Sequence, residues 1–197
     1  MSTQPLRRSR RLATFIPVSH WISMGYSQDD AHAMEKLQND MKKYCDVSDN
    51  NDVILKGRGG DGLPYHDLML PHWKKLFKAL HGRTSINEFT LIGVSLPSVV
   101  LDIMFPALQS INLEEFGIAS VGLGSDEFVK LSSFIKDSTS IKTLCIGGDT
   151  INDMSVASSL SDAVKGHPTF QTLVLVKSGL NNAHILGKVL EHYLAHF

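Results

Sequence analysis

The chain has 197 residues, 43% of them hydrophobic and 20% charged, so it can bury the core of one domain or of a short repeat array. Its formal net charge of −1 argues against a nucleic-acid or membrane-surface binder, and no apolar stretch approaches the roughly 20 residues that span a bilayer. Cys45 and Cys145 stand outside any metal-ligand spacing, which favours a reducing compartment. We therefore expect an intracellular, cytoplasmic protein without a cofactor or metal.

Residues 1–49 are predicted to form a basic tail followed by a capping helix. Residues 1–28 contain four arginines between positions 7 and 11 and no acidic residue, which predicts a flexible tail. Nuclear or organellar targeting by these arginines is an open alternative. Within residues 29–49, apolar side chains recur at helical spacing over 29–46, and we expect this helix to cap the first strand–helix unit.

The tripeptide Met24-Gly25-Tyr26 supports a second interpretation of this region. It resembles the Met-Gly-Phe loop that joins the first two helices of ubiquitin-associated domains. That family needs a third helix, and no clear counterpart precedes Asn50. The capping helix is therefore the interpretation that we favour.

Residues 50–85 match a strand–helix unit only loosely. Val53-Ile54-Leu55 indicates a degenerate first strand, although Arg58 fills the ninth template position and Gly60 fills the eleventh, which is apolar in the later units. Apolar residues at helical spacing, with a proline in the first turn, predict a helix over 71–80.

Four segments of the second half fit one eleven-residue template. They cover residues 86–96, 108–118, 141–151 and 170–180, and each has an apolar residue at positions one, four, six and eleven. This pattern resembles the leucine-rich-repeat family, L-x-x-L-x-L-x-x-N-x-L, in its helix-bearing, ribonuclease-inhibitor-like class. The resemblance implies an α/β solenoid over 50–197, in which short parallel strands alternate with helices. The family's asparagine is replaced by Val94, Phe116, Asp149 and Ser178.

The segments between the template matches are mostly predicted to be helical. Apolar residues recur at helical spacing over 125–136, 152–165 and 181–196, and Asn152 or Asp153 is expected to cap the second of these helices. The interval from Leu96 to Leu108 contains Pro97 and Pro106 and is too short for a full helix. We expect an irregular or 3₁₀ return there.

The third, fifth and seventh positions of the predicted strands point away from the buried ones, onto a concave face. These positions are Glu88, Thr90, Ile92, Ser110, Asn112, Glu114, Thr143, Cys145, Gly147, Thr172, Val174 and Val176. Because solenoids bind partners on this face, the resemblance implies a non-catalytic protein-interaction module with a protein partner. We expect Glu88 and Glu114 to meet a basic element of that partner. Val174 and Val176 would supply apolar contact.

Two further expectations remain open. The last strand would leave an exposed sheet edge, which predicts either self-association there or a longer array of which this chain is a fragment. The alternative function is a small α/β enzyme with its site at the glycine-rich loop 57–62, from Gly57 to Gly62, and at the nearby His66 and His72. That alternative requires one deep pocket containing His66, Asp67 and His72.

Overall fold

The computed structural model describes residues 14–46, 51–59, 62–148, 151 and 153–177. The helices are α1 (Val18–Ser23), α2 (Gln28–Asp46), α3 (Leu70–Leu80), α4 (Ser98–Gln109), α5 (Ser125–Asp137) and α6 (Met154–Val164). The strands are β1 (Asp52–Lys56), β2 (Glu88–Ile92), β3 (Glu115–Ala119), β4 (Thr143–Gly147) and β5 (Thr172–Val176). A 3₁₀ turn, Asp67–Met69, leads into α3. The predicted α/β class, with parallel strands and alternating helices, is confirmed.

The five strands form one parallel sheet whose spatial order is the order of the chain. Each strand therefore pairs with the next one along the chain, in the same direction. Since such crossovers are right-handed, the helices lie on one side of the sheet. Successive helices from α2 to α6 contact one another and form a single layer. Among the described elements, no helix covers the other side of the sheet, which we call the open face.

A continuous apolar core lies between the sheet and the helix layer. The inward residues of β2 and β3 are at most 2% exposed, as Phe89 and Phe116 illustrate. Their rings stack with centroids 6.3 Å apart, and Phe134 of α5 meets Phe116 edge-on at 5.1 Å. Because successive side chains along a strand point to opposite faces, the residues between these inward ones lie on the open face.

The register predicted for the second repeat is wrong. In the observed pairing Phe116, and not Ile111, lies opposite Phe89 of β2. The unit therefore begins at Leu113 and not at Leu108. Equivalent residues stand at positions 86, 113, 141 and 170, at intervals of 27, 28 and 29 residues. The three intervals between these units are thus nearly equal.

Helix α4 occupies the interval that was expected to be an irregular or 3₁₀ return, so that prediction is also wrong. Pro106 lies inside the helix, where a proline costs about 3 kcal/mol. The proline is exposed, whereas Leu101, Met104 and Leu108 are at most 1% exposed. Burial of each such side chain contributes roughly 1.5–3 kcal/mol, so three of them outweigh the proline.

The other predicted helices are observed at or near their expected bounds. Helix α3 corresponds to the segment 71–80, α5 to 125–136 and α6 to 152–165. Asp153 caps α6, since its Oδ1 accepts a hydrogen bond from the Ser155 N–H at 2.7 Å. The predicted helix over 181–196 lies outside the described residues.

The first unit is a strand–helix unit with a longer turn. β1 confirms the strand suggested by Val53-Ile54-Leu55. Leu63, and not Arg58, occupies the ninth template position of this unit, because it forms a parallel β-bridge with Val94 in the turn of the next unit. The Leu63 N–H also donates a hydrogen bond to the Gly93 carbonyl at 2.8 Å. The glycine-rich loop thus lengthens a structural turn. A Cβ at Gly57 would lie 2.2 Å from the Gly93 oxygen, so the close approach requires glycine.

The residue that follows each of the strands β2 to β5 has a left-handed backbone. Gly93, Ser120, Gly148 and Lys177 have φ values of +63°, +52°, +70° and +50°. The N–H groups of the first three donate to carbonyls of the next strand at 2.7–2.9 Å. These bonds extend the ladder by one residue past β2, β3 and β4. In two of these turns the left-handed residue is not glycine but Ser120 or Lys177, for which this conformation is energetically unfavourable.

Residues 14–27 belong to the fold, which corrects the predicted extent of the tail. Trp21 of α1 is fully buried, and its ring meets Tyr26 and His66 edge-on, with centroids 5.6 Å away in both cases. The sequence does not predict α1, because six residues are too few to show apolar side chains recurring at helical spacing. Residues 1–13, with the arginines, lie outside the described residues.

Helix α2 packs against α1, α3 and β1 at the first end of the sheet. The Tyr44 hydroxyl accepts a hydrogen bond from the Ile54 N–H at 3.1 Å and donates one to the Ile54 carbonyl at 3.2 Å. These bonds occupy part of the outer edge of β1, where another strand could otherwise pair. Since β1 follows after residues 47–50, the third helix of a ubiquitin-associated domain does not follow α2.

The far edge of the sheet is formed by β5, and residues 178–197 beyond it lie outside the described residues. The predicted self-association through this edge therefore stays a prediction. No helix in the described ranges is long and apolar enough to cross a bilayer.

Candidate binding surface

Three residues of each strand face the open side of the sheet. They are Asp52, Ile54, Lys56, Glu88, Thr90, Ile92, Glu115, Gly117, Ala119, Thr143, Cys145, Gly147, Thr172, Val174 and Val176. Parallel pairing aligns them in three rows across the sheet. The row at the amino ends begins with three carboxylates, and the row at the carboxyl ends is apolar from Ile92 to Val176.

Nine of the twelve positions predicted for the concave face lie on the open face, and Gly147 is one of them. The other eight are Glu88, Thr90, Ile92, Thr143, Cys145, Thr172, Val174 and Val176. The two valines are 37% and 50% exposed, which leaves an apolar end beside β5.

The other three predicted residues are not on the open face, because β3 begins later than expected. Ser110 ends α4, where its hydroxyl accepts a hydrogen bond from the Gly82 N–H at 3.0 Å. Asn112 is exposed in the loop before β3. Glu114 precedes the strand and forms an ion pair with Lys142 at 2.7 Å. Glu115, Gly117 and Ala119 take their places.

A groove of about 270 Å³ runs across the middle of the open face. Its lining includes Glu88, Thr90, Glu115, Gly117, Ala119 and Cys145. The floor of the groove is low because β3, the central strand, contributes Gly117 and Ala119, which are the two smallest residue types. A Cβ at Gly117 would lie 2.7 Å from Thr90 Oγ1, so a larger residue there would displace its neighbour. A glycine inside a strand is the sequence signal that could have indicated this groove.

Three carboxylates line up at one end of the face. Asp52, Glu88 and Glu115, which we call the acidic row, are paired in register on adjacent strands. Like charges placed opposite one another destabilise a sheet. The Thr90 hydroxyl donates to Glu88 Oε1 at 2.9 Å, but no cation in the described ranges forms an ion pair with any of the three. The row is therefore suited to a positively charged ligand.

Cys145 lies in the groove wall and is not an activated nucleophile. Burial raises the pKa of its thiol above the ordinary value. A raised pKa reduces the fraction of thiolate, which is the reactive form. The side chain is therefore a small apolar part of the surface.

The residues of the alternative enzyme site are not assembled in one pocket. The His66 ring accepts a hydrogen bond from the Leu68 N–H at 3.1 Å and packs against Trp21. Asp67 is exposed at the start of the 3₁₀ turn. His72 lines a separate cavity of about 130 Å³ between α2 and α3, which neither His66 nor Asp67 lines. In the described ranges, no three His, Cys, Asp or Glu side chains form a cluster that could hold a metal ion.

His72 makes the stability of the fold dependent on pH. Burial, assisted by the charge of Lys75, lowers the pKa of this imidazole below the ordinary value, against a backbone hydrogen bond with Thr14 that raises it. Near pH 6.5 this imidazole is therefore protonated to a greater extent in the unfolded chain than in the folded chain. The free energy of unfolding should fall as pH drops through that range, with a limiting slope of about 1.4 kcal/mol per pH unit from this group.

The variant His72→Gln should flatten this decline, which urea unfolding at several pH values between 7.5 and 5 would measure. His81→Gln is the matched control, because His81 is exposed at the end of α3. Parallel profiles for wild type and His72→Gln would contradict the assignment.

Comparison with protein-family models and with curated proteins finds no match to this chain.

Proposed function

We propose that this chain is a non-catalytic protein-interaction module of the leucine-rich-repeat type, which binds a protein partner on its open face. The main observation in support is a five-stranded parallel sheet, one face of which is covered by none of the described helices. Most parallel sheets have both faces covered by helices. An uncovered face with charged, polar and apolar rows offers an extended contact surface to a partner.

The order of the strands favours binding over small-molecule catalysis. In doubly wound α/β enzymes, ligands occupy the crevice formed where the strand order reverses. Here the order runs from β1 to β5 without reversal. The alternative enzyme function also loses support because His66 and His72 lie in separate surroundings.

The repeat type is supported by the corrected register. Spacings of 27 to 29 residues, with apolar residues at the four template positions and a left-handed residue after each of the strands β2 to β5, suit the helix-bearing class. The departure lies at the family's asparagine, which is replaced by Asp149 and Ser178 and, in the first two turns of the corrected register, by Val94 and Val121. The Leu96 N–H donates to the Val121 carbonyl at 2.9 Å, so backbone bonds join these turns.

Affinity capture with the full chain tests the proposal. The double variant Glu88→Lys/Glu115→Lys should lose the partners that wild type retains, because it reverses the charge of the open face. Asp137→Lys/Asp162→Lys is the matched control, with the same change of charge on exposed residues of α5 and α6. Loss of partners in the control alone would indicate that partners bind the helix layer and not the open face. Recovery of the chain itself as the partner would indicate self-association.

A further inference from the structure

The groove on the open face combines a charged rim with an apolar floor. Glu88 and Glu115 lie directly opposite each other on adjacent strands, whose backbones are about 4.8 Å apart. The Thr90 hydroxyl, on the same face as Glu88, holds Oε1 of that carboxylate at 2.9 Å. Gly117 and Ala119 leave an open channel beside the two carboxylates. One long side chain with an apolar stem and a cationic head would meet both parts.

Arginine matches this arrangement better than lysine does. Its planar guanidinium has five N–H donors and can bond two carboxylates at once, whereas an ammonium is a compact point charge. Its three methylene groups can lie on an apolar surface while the head stays at the polar rim. A cation between Glu88 and Glu115 would also relieve the repulsion between carboxylates in register.

We propose that this groove binds an arginine side chain of the protein partner, with the guanidinium between Glu88 and Glu115 and the stem over Gly117 and Ala119. The inference rests on the proposed function and names the chemistry of the partner at that site. Cys145 and Thr143 close the side of the groove toward β4. The acidic row continues to Asp52, so a second basic residue of the partner would meet a carboxylate on β1.

The test uses a terminally blocked peptide of sequence Ser-Thr-Ala-Arg-Ala-Thr-Ser and its citrulline and lysine counterparts. Backbone amide shifts of the full chain are followed by NMR during titration. The arginine peptide should produce saturable shifts centred on Gly117 and Ala119. Citrulline has nearly the same shape without the charge, so its peptide should bind at least about tenfold more weakly. The lysine peptide should bind with intermediate affinity.

Two variants locate the site. Glu88→Gln/Glu115→Gln should weaken arginine-peptide binding by about tenfold or more, since it removes both charged acceptors while keeping the side-chain shapes. Glu114→Gln is the matched control, because Glu114 is the adjacent residue but pairs with Lys142 off the open face. It should leave the affinity within about twofold.

Equal binding of the arginine and citrulline peptides, or equal losses in the two Gln variants, would overturn the proposal. So would shifts spread over acidic residues outside the groove. If the peptides fail while the charge-reversed open face still loses its captured partner, the arginine site is wrong and the interaction module stands. If capture is also insensitive to the open face, both are wrong.

Discussion

Replacement of Phe116 by alanine is expected to lower the free energy of unfolding by about 3–5 kcal/mol. The ring is 1% exposed and contacts the rings of Phe89, Phe105 and Phe134. Its removal leaves a cavity where the sheet meets α4 and α5, and those elements can fill it only partly. Urea unfolding followed by circular dichroism measures the loss.

Phe15→Ala is the matched control, since the same atoms are removed from a side chain that is 47% exposed. We expect that variant to lose less than half as much. The comparison also tests the register of β3. In the template register, Phe116 occupies the ninth position, in the turn after the strand. A loss below about 1 kcal/mol for Phe116→Ala would agree with that register and contradict the observed pairing.

The variant Gly93→Ala should destabilise the fold by about 3 kcal/mol or more, through two effects that glycine avoids. The residue has a φ of +63°, which costs an alanine roughly 1 kcal/mol. The added Cβ would also lie 1.8 Å from the Arg58 oxygen, and only a backbone movement can relieve that overlap. Two successive turns would then have to separate.

Gly82→Ala separates the two effects, because Gly82 has a φ of +75° but no atom within 4 Å of the added Cβ. It should cost about 1 kcal/mol, which is the backbone term alone. Equal losses at the two positions, measured by urea unfolding, would show that the turns after β1 and β2 do not pack as described.

Spacing predicted most helices and the strands β2, β4 and β5, because each unit repeats one apolar pattern. It misplaced β3 because the segment from Leu108 to Leu123 fits the template in two frames, five residues apart. Leu108, Ile111, Leu113 and Ile118 fit the earlier frame, and Leu113, Phe116, Ile118 and Leu123 fit the later one. Equal spacing of the units would have selected the later frame. The prolines around α4 argued against a helix that tertiary packing stabilises.

The candidate site was predicted in outline, and the misplaced strand accounts for its errors. Alternation along a strand correctly put Glu88, Thr143 and Val174 on the open face. The shift of β3 replaced Glu114 by Glu115, so the pair of adjacent carboxylates was not anticipated. The groove depends on Gly117 standing beside Thr90, and only the pairing of β2 with β3 brings these two residues together.

Site-specific photocrosslinking tests most directly whether the open face is the binding surface. p-Benzoylphenylalanine would replace Thr172, exposed on β5, or Val129, which is 51% exposed on α5. We expect a covalent adduct with the partner from position 172 and none from position 129. The adduct should disappear in the Glu88→Lys/Glu115→Lys background. An adduct from position 129 alone would place the partner on the helix layer and contradict the account.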